Sequence, residues 1–207
     1  MHWSVVIPVK RLPLAKSRLN DGTRPPGAHR GLALALALDT AAAALACPAV
    51  ARVVAVTDDG QASERLAALG AVVVPDQPDG GLNPALVYGA TRAAALGPVD
   101  GVAVLSADLA ALRPAELAAA LTAAAGHPRA FVPDAAGTGT TLLAALPGVP
   151  LHPRYGPRSR AAHRESGAVE LAGDWPSLRR DVDTAIDLAE AARLGLGPAT
   201  SAAVTAR

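Results

Sequence analysis

Two periods of apolar and polar positions alternate through the first two thirds of the chain. Trp3 to Val9 is a β-branched run, Ala28 to Ala46 a long Ala/Leu segment, and Arg52 to Val56 is β-branched again, closed by Asp58-Asp59-Gly60. Short β-branched runs between turn residues predict strands and the long segment predicts a helix, so the order opens as βαβ. It continues with Gln61 to Leu69 as helix, Ala71 to Val74 as strand, Asn83 to Leu96 as helix and Gly101 to Leu105 as strand. Pro114 then opens a helix to Ala125, at a first-turn position where a missing N–H costs nothing. Runs that are apolar at every position, such as Val102-Ala103-Val104-Leu105, are what a parallel sheet covered on both faces requires. The pattern predicts an α/β fold on an open sheet.

After Gly126, Pro, Gly and Arg break the chain into shorter pieces. Strands are predicted at Arg129 to Val132, Thr141 to Ala145 and Ala168 to Leu171, and a last helix from about Thr184 to Leu194, where Thr184 and Asp187 make a capping pair. Neither an internal repeat nor a low-complexity linker interrupts the 207 residues, so one domain over 1–207 is expected.

Composition narrows the function. Apolar residues make up 51% of the chain and aromatic ones only 2%, which suits closely packed helices on a sheet. A net charge of +1 excludes a general nucleic-acid binder, which needs a basic excess to neutralise a phosphate backbone. Charge is uneven all the same: Lys10, Arg11, Lys16, Arg18, Arg24 and Arg30 face the single acid Asp21, so that end is electropositive. The lone Cys47 allows neither a disulfide framework nor a structural zinc site within one chain. The first apolar run stops at Pro8, too short for a signal-peptide core, and the longest one is interrupted by Asp39, short of the ~20 residues of a membrane span. A cytoplasmic protein with small-molecule partners is expected.

Four segments carry candidate chemistry. The first is Ile7 to Leu19, with Lys10, Arg11, Lys16 and Arg18, leaving the first strand where ligands of open sheets collect; it suits a triphosphate or is a solvated basic loop. Neither a GxxxxGK[ST] nor a GxGxxG pattern is present, which lowers kinase and dehydrogenase readings. The second is Asp108 in Leu105-Ser106-Ala107-Asp108-Leu109, at a strand's carboxyl end, either a magnesium-holding carboxylate or a turn residue. The third is Arg180-Asp181-Val182-Asp183-Thr184: read as a strand, it points Asp181 and Asp183 to one side, which is costly unless a cation lies between them. Asp183 also suits a helix cap. The fourth pairs Gly137-Thr138-Gly139-Thr140-Thr141, a flexible loop or a hairpin turn, with Tyr155-Gly156-Pro157-Arg158-Ser159, whose N–H groups and hydroxyls suit a smaller phosphate. His163, among Arg158, Arg160 and Arg164, reads as a surface helix residue rather than a catalytic base.

These segments together resemble the phosphoenolpyruvate and 2-phospho-L-lactate guanylyltransferases of coenzyme F-420 biosynthesis, relatives of the molybdenum cofactor nucleotidyltransferases. The likeness rests on Pro8-Val9-Lys10 with Ala15-Lys16-Ser17-Arg18-Leu19, Gly80-Gly81-Leu82-Asn83, Ser106-Ala107-Asp108-Leu109, Gly137 to Thr141, Arg154-Tyr155-Gly156-Pro157 with Ser159, His163 to Gly167, and Asp181-Val182-Asp183-Thr184. Two departures are Ala110 and Ala185, where the family commonly has proline; both bear on loop stiffness rather than on ligands.

The resemblance implies a single-domain nucleotidyltransferase fold of the nucleotide-diphospho-sugar transferase type, with a mostly parallel, mixed sheet flanked by helices. It implies Mg2+ on Asp108, Asp181 and Asp183, the phosphorylated acid on Thr141, Gly156 and Ser159, and the nucleotide on Lys16, Arg18, Gly81 and Asn83; Asp108, Lys16 and Arg18 form the catalytic set. Thr140 is close enough to trade roles with Thr141. GTP is the implied donor. Phosphoenolpyruvate, 2-phospho-L-lactate and 3-phospho-D-glycerate are the candidate acceptors, and a composition typical of GC-rich coding leans toward the first, with handover of the product to the next transferase of the pathway. A molybdenum cofactor guanylyl- or cytidylyltransferase is the weaker reading, because its first loop is of the LxGGxSxRMG kind; a non-catalytic nucleotide-binding α/β protein is the other.

Overall fold

A computed structural model describes residues 1–10 and 28–205. Its elements run β1 (Trp3–Pro8), α1 (Ala28–Leu45), β2 (Val50–Val56), α2 (Gly60–Ala68), β3 (Val72–Val74), α3 (Leu82–Ala95), β4 (Gly101–Leu105) and α4 (Pro114–Ala124). Then follow β5 (Arg129–Pro133), β6 (Thr140–Ala145), α5 (Ser159–Glu165), β7 (Val169–Glu170), α6 (Pro176–Arg179), α7 (Ala185–Leu194) and α8 (Pro198–Thr205). The seven strands form one sheet in the order β3-β2-β1-β4-β6-β5-β7. β1 pairs in parallel with β2 and β4, while β6 runs antiparallel between β4 and β5, so the sheet is mixed as expected.

Both faces of the sheet are covered, which is why its strands lack polar alternation. Val5 and Ile7 of β1 join the core beneath α1 and α4, and Val6 joins the one beneath α3. α1 is apolar on two stripes: Leu34, Leu38 and Ala41 pack on the sheet, and Leu32 and Leu36 pack against α7 and its surroundings. On the other face, an added Cβ at Gly89 of α3 would lie 2.6 Å from side-chain atoms of Val6 and Val56, so glycine there lets the helix settle onto the strands.

Two buried polar residues of α1 fasten distant parts of the chain. The Asp39 carboxylate accepts the N–H groups of Ala199 (3.0 Å) and Thr200 (2.7 Å) and so caps the first turn of α8. Thr40 Oγ1 donates to Leu36 C=O (2.9 Å) and accepts the Leu109 N–H (3.0 Å), which fixes the residue following Asp108.

The sequence expectations need correction in the second half. Thr141 lies in strand β6 as expected, Thr140 opens that strand rather than ending a flexible loop, and the alternative of a hairpin turn holds for residues 134–139 between β5 and β6. Residues 180–184 form no strand; the chain has left the sheet there and runs irregularly into α7. α6 and α8 were not predicted, α5 was expected only as a helix around His163 without bounds, and α8 lies beyond the helix expected to be the last.

Candidate active site

The strand order reverses between β1 and β4, and in an open α/β sheet the crevice outside the carboxyl ends at such a switch point is where ligands bind. Lys10 follows β1 there, exposed, and Ser106-Ala107-Asp108 follow β4. Lys16 and Arg18 lie outside the described residues.

A backbone thread joins the candidate segments at this edge. The Ser106 N–H donates to Thr141 C=O (2.9 Å), and the Val182 N–H donates to Asp108 C=O (3.1 Å). The second bond sets Asp181 and Asp183 on either side of Asp108's own backbone. Asp181 is partly buried and Asp183 exposed. Burial, then the neighbouring carboxylates of Asp108, Asp183 and Asp134, push the Asp181 carboxyl up to about 7. Asp134, at the β5–β6 turn, is thus a further acid of this group, and nothing in the sequence pattern singled it out. The capping box of α7 holds the end of the segment: Thr184 Oγ1 accepts the Asp187 N–H, and Asp187 Oδ2 accepts the Thr184 N–H (2.8 Å).

The other side of the edge is built of hydroxyls and loops. Thr141 is fully enclosed in β6, and its Oγ1 has no hydrogen-bond partner among the described residues. Gly156 is exposed, with φ of +139°, a conformation that a residue with a Cβ rarely takes, and its C=O accepts the Ser159 N–H (3.1 Å). Ser159, the first residue of α5, is only 2% exposed. Gly81 precedes α3 as its N-cap. Asn83, in the first turn of α3, uses its amide on the backbone of Tyr155: Oδ1 accepts the Tyr155 N–H (2.8 Å) and Nδ2 donates to Tyr155 C=O (3.0 Å).

Three further residues hold this side together. His163 is fully buried rather than on the surface, because α5 turns Ser159 and His163, four residues apart, toward the sheet. Its Nδ1 lies 2.9 Å from Thr140 Oγ1, and its Nε2 accepts the Arg154 N–H (2.9 Å). Burial, reinforced by Arg129 and Arg154, holds the imidazole down at about 4, so it is neutral near pH 7. Arg160 donates to both oxygens of Glu170 (3.0 and 2.6 Å) and to Gly137 C=O (2.9 Å), bracing the β5–β6 turn, and Arg164 shares Glu170. Arg179 donates to the carbonyls of Pro133, Leu171 and Gly173 (3.2, 3.1 and 3.1 Å).

Comparison with known proteins gives the family and the fold. No protein-family model matches the chain. It is 62% identical to the phosphoenolpyruvate guanylyltransferase of Salinispora arenicola over 96% of this chain and 92% of that protein. It is 61% identical to the phosphoenolpyruvate guanylyltransferase of Streptomyces coelicolor over 100% and 97% of the two chains. Among solved structures it is similar to CMP:2-keto-3-deoxy-manno-octonic acid synthetase complexed with CTP, with a TM-score of 0.57, 17% identity and coverage of 94% and 98%. A protein from Desulfovibrio desulfuricans G20 assigned to the nucleotide-diphospho-sugar transferases superimposes with a TM-score of 0.64 at 17% identity, over 90% and 84% of the two chains. The fold is that of the nucleotide-diphospho-sugar transferases. With more than half of its residues shared over nearly its full length, the chain belongs to the phosphoenolpyruvate guanylyltransferase family and is a nucleotidyltransferase.

Proposed function

We propose that this protein transfers GMP from GTP to phosphoenolpyruvate, or to a related phosphorylated three-carbon acid, on the route to coenzyme F-420. The observation that carries the reading is the convergence, at the β1/β4 switch point, of an acid group around Asp108 with a hydroxyl-lined cradle around Thr141, Gly156 and Ser159. Full-length identity to phosphoenolpyruvate guanylyltransferases supplies the substrate class.

In the reaction an oxygen of the acceptor's phosphate attacks the α-phosphorus of GTP. The new P–O bond forms a diphosphate linkage while the bond from the α-phosphorus to the bridging oxygen breaks, and pyrophosphate departs with the electron pair. The attacking oxygen is already ionised near neutral pH, so no general base is needed. His163 agrees with this: both of its ring nitrogens are engaged within the protein. Repulsion between two anions is the barrier, and cationic groups lower it by alignment and charge screening. Lys16 and Arg18 are proposed for that task, and Gly81 is assigned with them to the nucleotide side. Asn83, expected on the nucleotide side, instead engages its amide with the Tyr155 backbone and is proposed to act on the acceptor loop.

Magnesium is proposed on the chemistry of the donor set. Asp108, Asp181 and Asp183 offer hard oxygen ligands, and the Asp181 carboxyl is raised first by burial and then by its neighbouring carboxylates, the second of which a divalent ion would relieve. Among the described residues no three His, Cys, Asp or Glu side chains are gathered closely enough to enclose a metal by themselves. One or two of these carboxylates would therefore hold the ion, with substrate phosphates and water completing its shell. When bound, the ion would neutralise charge on the phosphates. No helix among the described residues is long and apolar enough to cross a membrane. A cytoplasmic location and handover of the product to the next transferase belong to the same proposal.

The test is a parallel assay of phosphoenolpyruvate, 2-phospho-L-lactate and 3-phospho-D-glycerate with GTP and magnesium, products identified by mass. The expected product is the guanylylated phosphoenolpyruvate with release of pyrophosphate. Equal rates with ATP would remove the guanylyl assignment, and absence of any diphosphate-linked product would remove the reading altogether.

A further inference from the structure

The acceptor side of the site is assembled from segments that lie far apart in the chain, and one imidazole touches nearly all of them. His163 sits on α5 four residues after Ser159. Its Nδ1 meets Thr140 Oγ1 at the start of β6, and its Nε2 meets the backbone N–H of Arg154, next to Tyr155 and Gly156. Its ring lies edge-on to Tyr155, with centroids 5.0 Å apart and planes at 74°, and against Phe131 of β5 at 5.7 Å. Its own C=O accepts the Ala168 N–H (3.1 Å) and the Ser166 hydroxyl (2.7 Å).

The two ring bonds fix the ring's state by elimination. A backbone N–H only donates, so Nε2 carries no proton; a neutral imidazole then carries its proton on Nδ1, which donates to Thr140 Oγ1. With that oxygen accepting from the ring, the Thr140 hydroxyl keeps its own hydrogen for donation elsewhere. The charged groups near the ring are Arg129 of β5 and Arg154 of the preceding loop, both cations, and they oppose a second proton on it.

We propose that His163 is a positioning residue for the acceptor: its neutral, Nδ1-protonated ring locks Thr140-Thr141, Tyr155-Gly156 and Ser159 into one anion-binding cradle and orients the Thr140 hydroxyl as a donor. The inference rests on the assignment of Thr141, Gly156 and Ser159 to the phosphorylated acid. It differs from that assignment in making a residue that does not contact substrate set the acceptor's affinity.

The experiment uses the full chain with His163→Leu, His163→Asn, His163→Gln and Ser159→Ala, each checked for folding by circular dichroism. KM for phosphoenolpyruvate, KM for GTP and kcat are measured for all of them. An asparagine amide reproduces the Nδ1 donor and a glutamine amide the Nε2 acceptor, so the two arms separate. His163→Leu is expected to raise the phosphoenolpyruvate KM on the order of tenfold to a hundredfold, the scale of a small misplacement of binding groups, with GTP KM unchanged and partial recovery in Asn and Gln. A folded His163→Leu protein whose phosphoenolpyruvate KM equals the wild-type value, while Ser159→Ala raises it, would overturn the positioning role. If Ser159→Ala leaves the acceptor KM untouched, it is the acceptor assignment that fails. Should the leucine variant not fold, nitrogen-15 NMR of the wild-type ring decides: a proton on Nδ1 and a bare Nε2 down to pH 5 support the role, and a doubly protonated ring at pH 6 excludes it.

Discussion

The two sides of the candidate site are held by opposite means. On the hydroxyl side, side chains bind backbone: Asn83 grips Tyr155, His163 joins Thr140 to Arg154, and Arg160 braces Gly137. On the acid side, the backbone is anchored by the Val182–Asp108 bond and the α7 capping box, while burial and then the neighbouring carboxylates drive Asp181 toward neutrality. A cradle shaped in advance suits a small anion, whose affinity depends on donor placement. A group of repelling acids suits a cation that arrives with its substrate, because the relief of repulsion then contributes to binding. On the proposed assignment, one edge of the sheet serves two partners of opposite charge.

The largest effect expected from breaking this contrast is on the acid side. Asp108→Asn should lower turnover by roughly 10²- to 10³-fold with little change in the phosphoenolpyruvate KM, and chelation of magnesium should abolish pyrophosphate release in the wild type. Steady-state kinetics with and without chelator check both, and unchanged release after chelation would remove the metal from the account.

A smaller effect is expected where the hydroxyl side is loosened from behind. Asn83→Ala leaves the Tyr155 N–H and C=O without their amide partner, and should weaken the acceptor by about tenfold, the scale of one or two hydrogen bonds near a loop. If GTP affinity fell instead, Asn83 would be contacting the nucleotide directly.

The smallest effects are in stability against pH, where the two sides have opposite signs. Asp181 titrates at about 7 in the folded chain against an ordinary 3.8, so the folded state holds its proton more tightly; this contribution is full below pH 3.8 and is lost as pH rises through about 7. His163 titrates at about 4 against an ordinary 6.5, so its contribution is full above pH 6.5 and is lost as pH falls through about 4. Between pH 4 and 6.5 the slopes oppose each other. Urea midpoints measured with chelator present should therefore gain more with rising pH in Asp181→Asn than in wild type, and less in His163→Gln. Parallel curves for all three proteins would show that neither group titrates as described.

The sequence made the first half of the fold legible because each element there is long enough to show its period: β1, α1 and α3 were all expected within a few residues of their observed ends. The bounds of α5 and the whole of α8 were hidden for a physical reason. Each helix is short, and each begins among Pro and Gly that read as loop. His163 was misread because Arg160 and Arg164 around it suggest a solvated face, whereas the spacing of Ser159 and His163 with Ala161 and Ala162 between them was the available sign of a buried one. Asp181 and Asp183 were expected to alternate on a strand, but that rule has no force once the chain leaves the sheet. The work of Asp39 and Asn83 depends on partners 160 and 72 residues away, and no local pattern records such a pairing.

The claim on which the account turns is that the hydroxyl cradle receives the acceptor while the nucleotide lies elsewhere along the edge. Ser159→Ala tests it most directly, titrated with phosphoenolpyruvate in the presence of magnesium and separately with GTP. Removing one hydrogen bond to a charged group should weaken phosphoenolpyruvate by roughly one to two powers of ten and leave GTP binding as it was. Loss of GTP affinity with phosphoenolpyruvate binding intact would contradict the account and assign the cradle to the nucleotide.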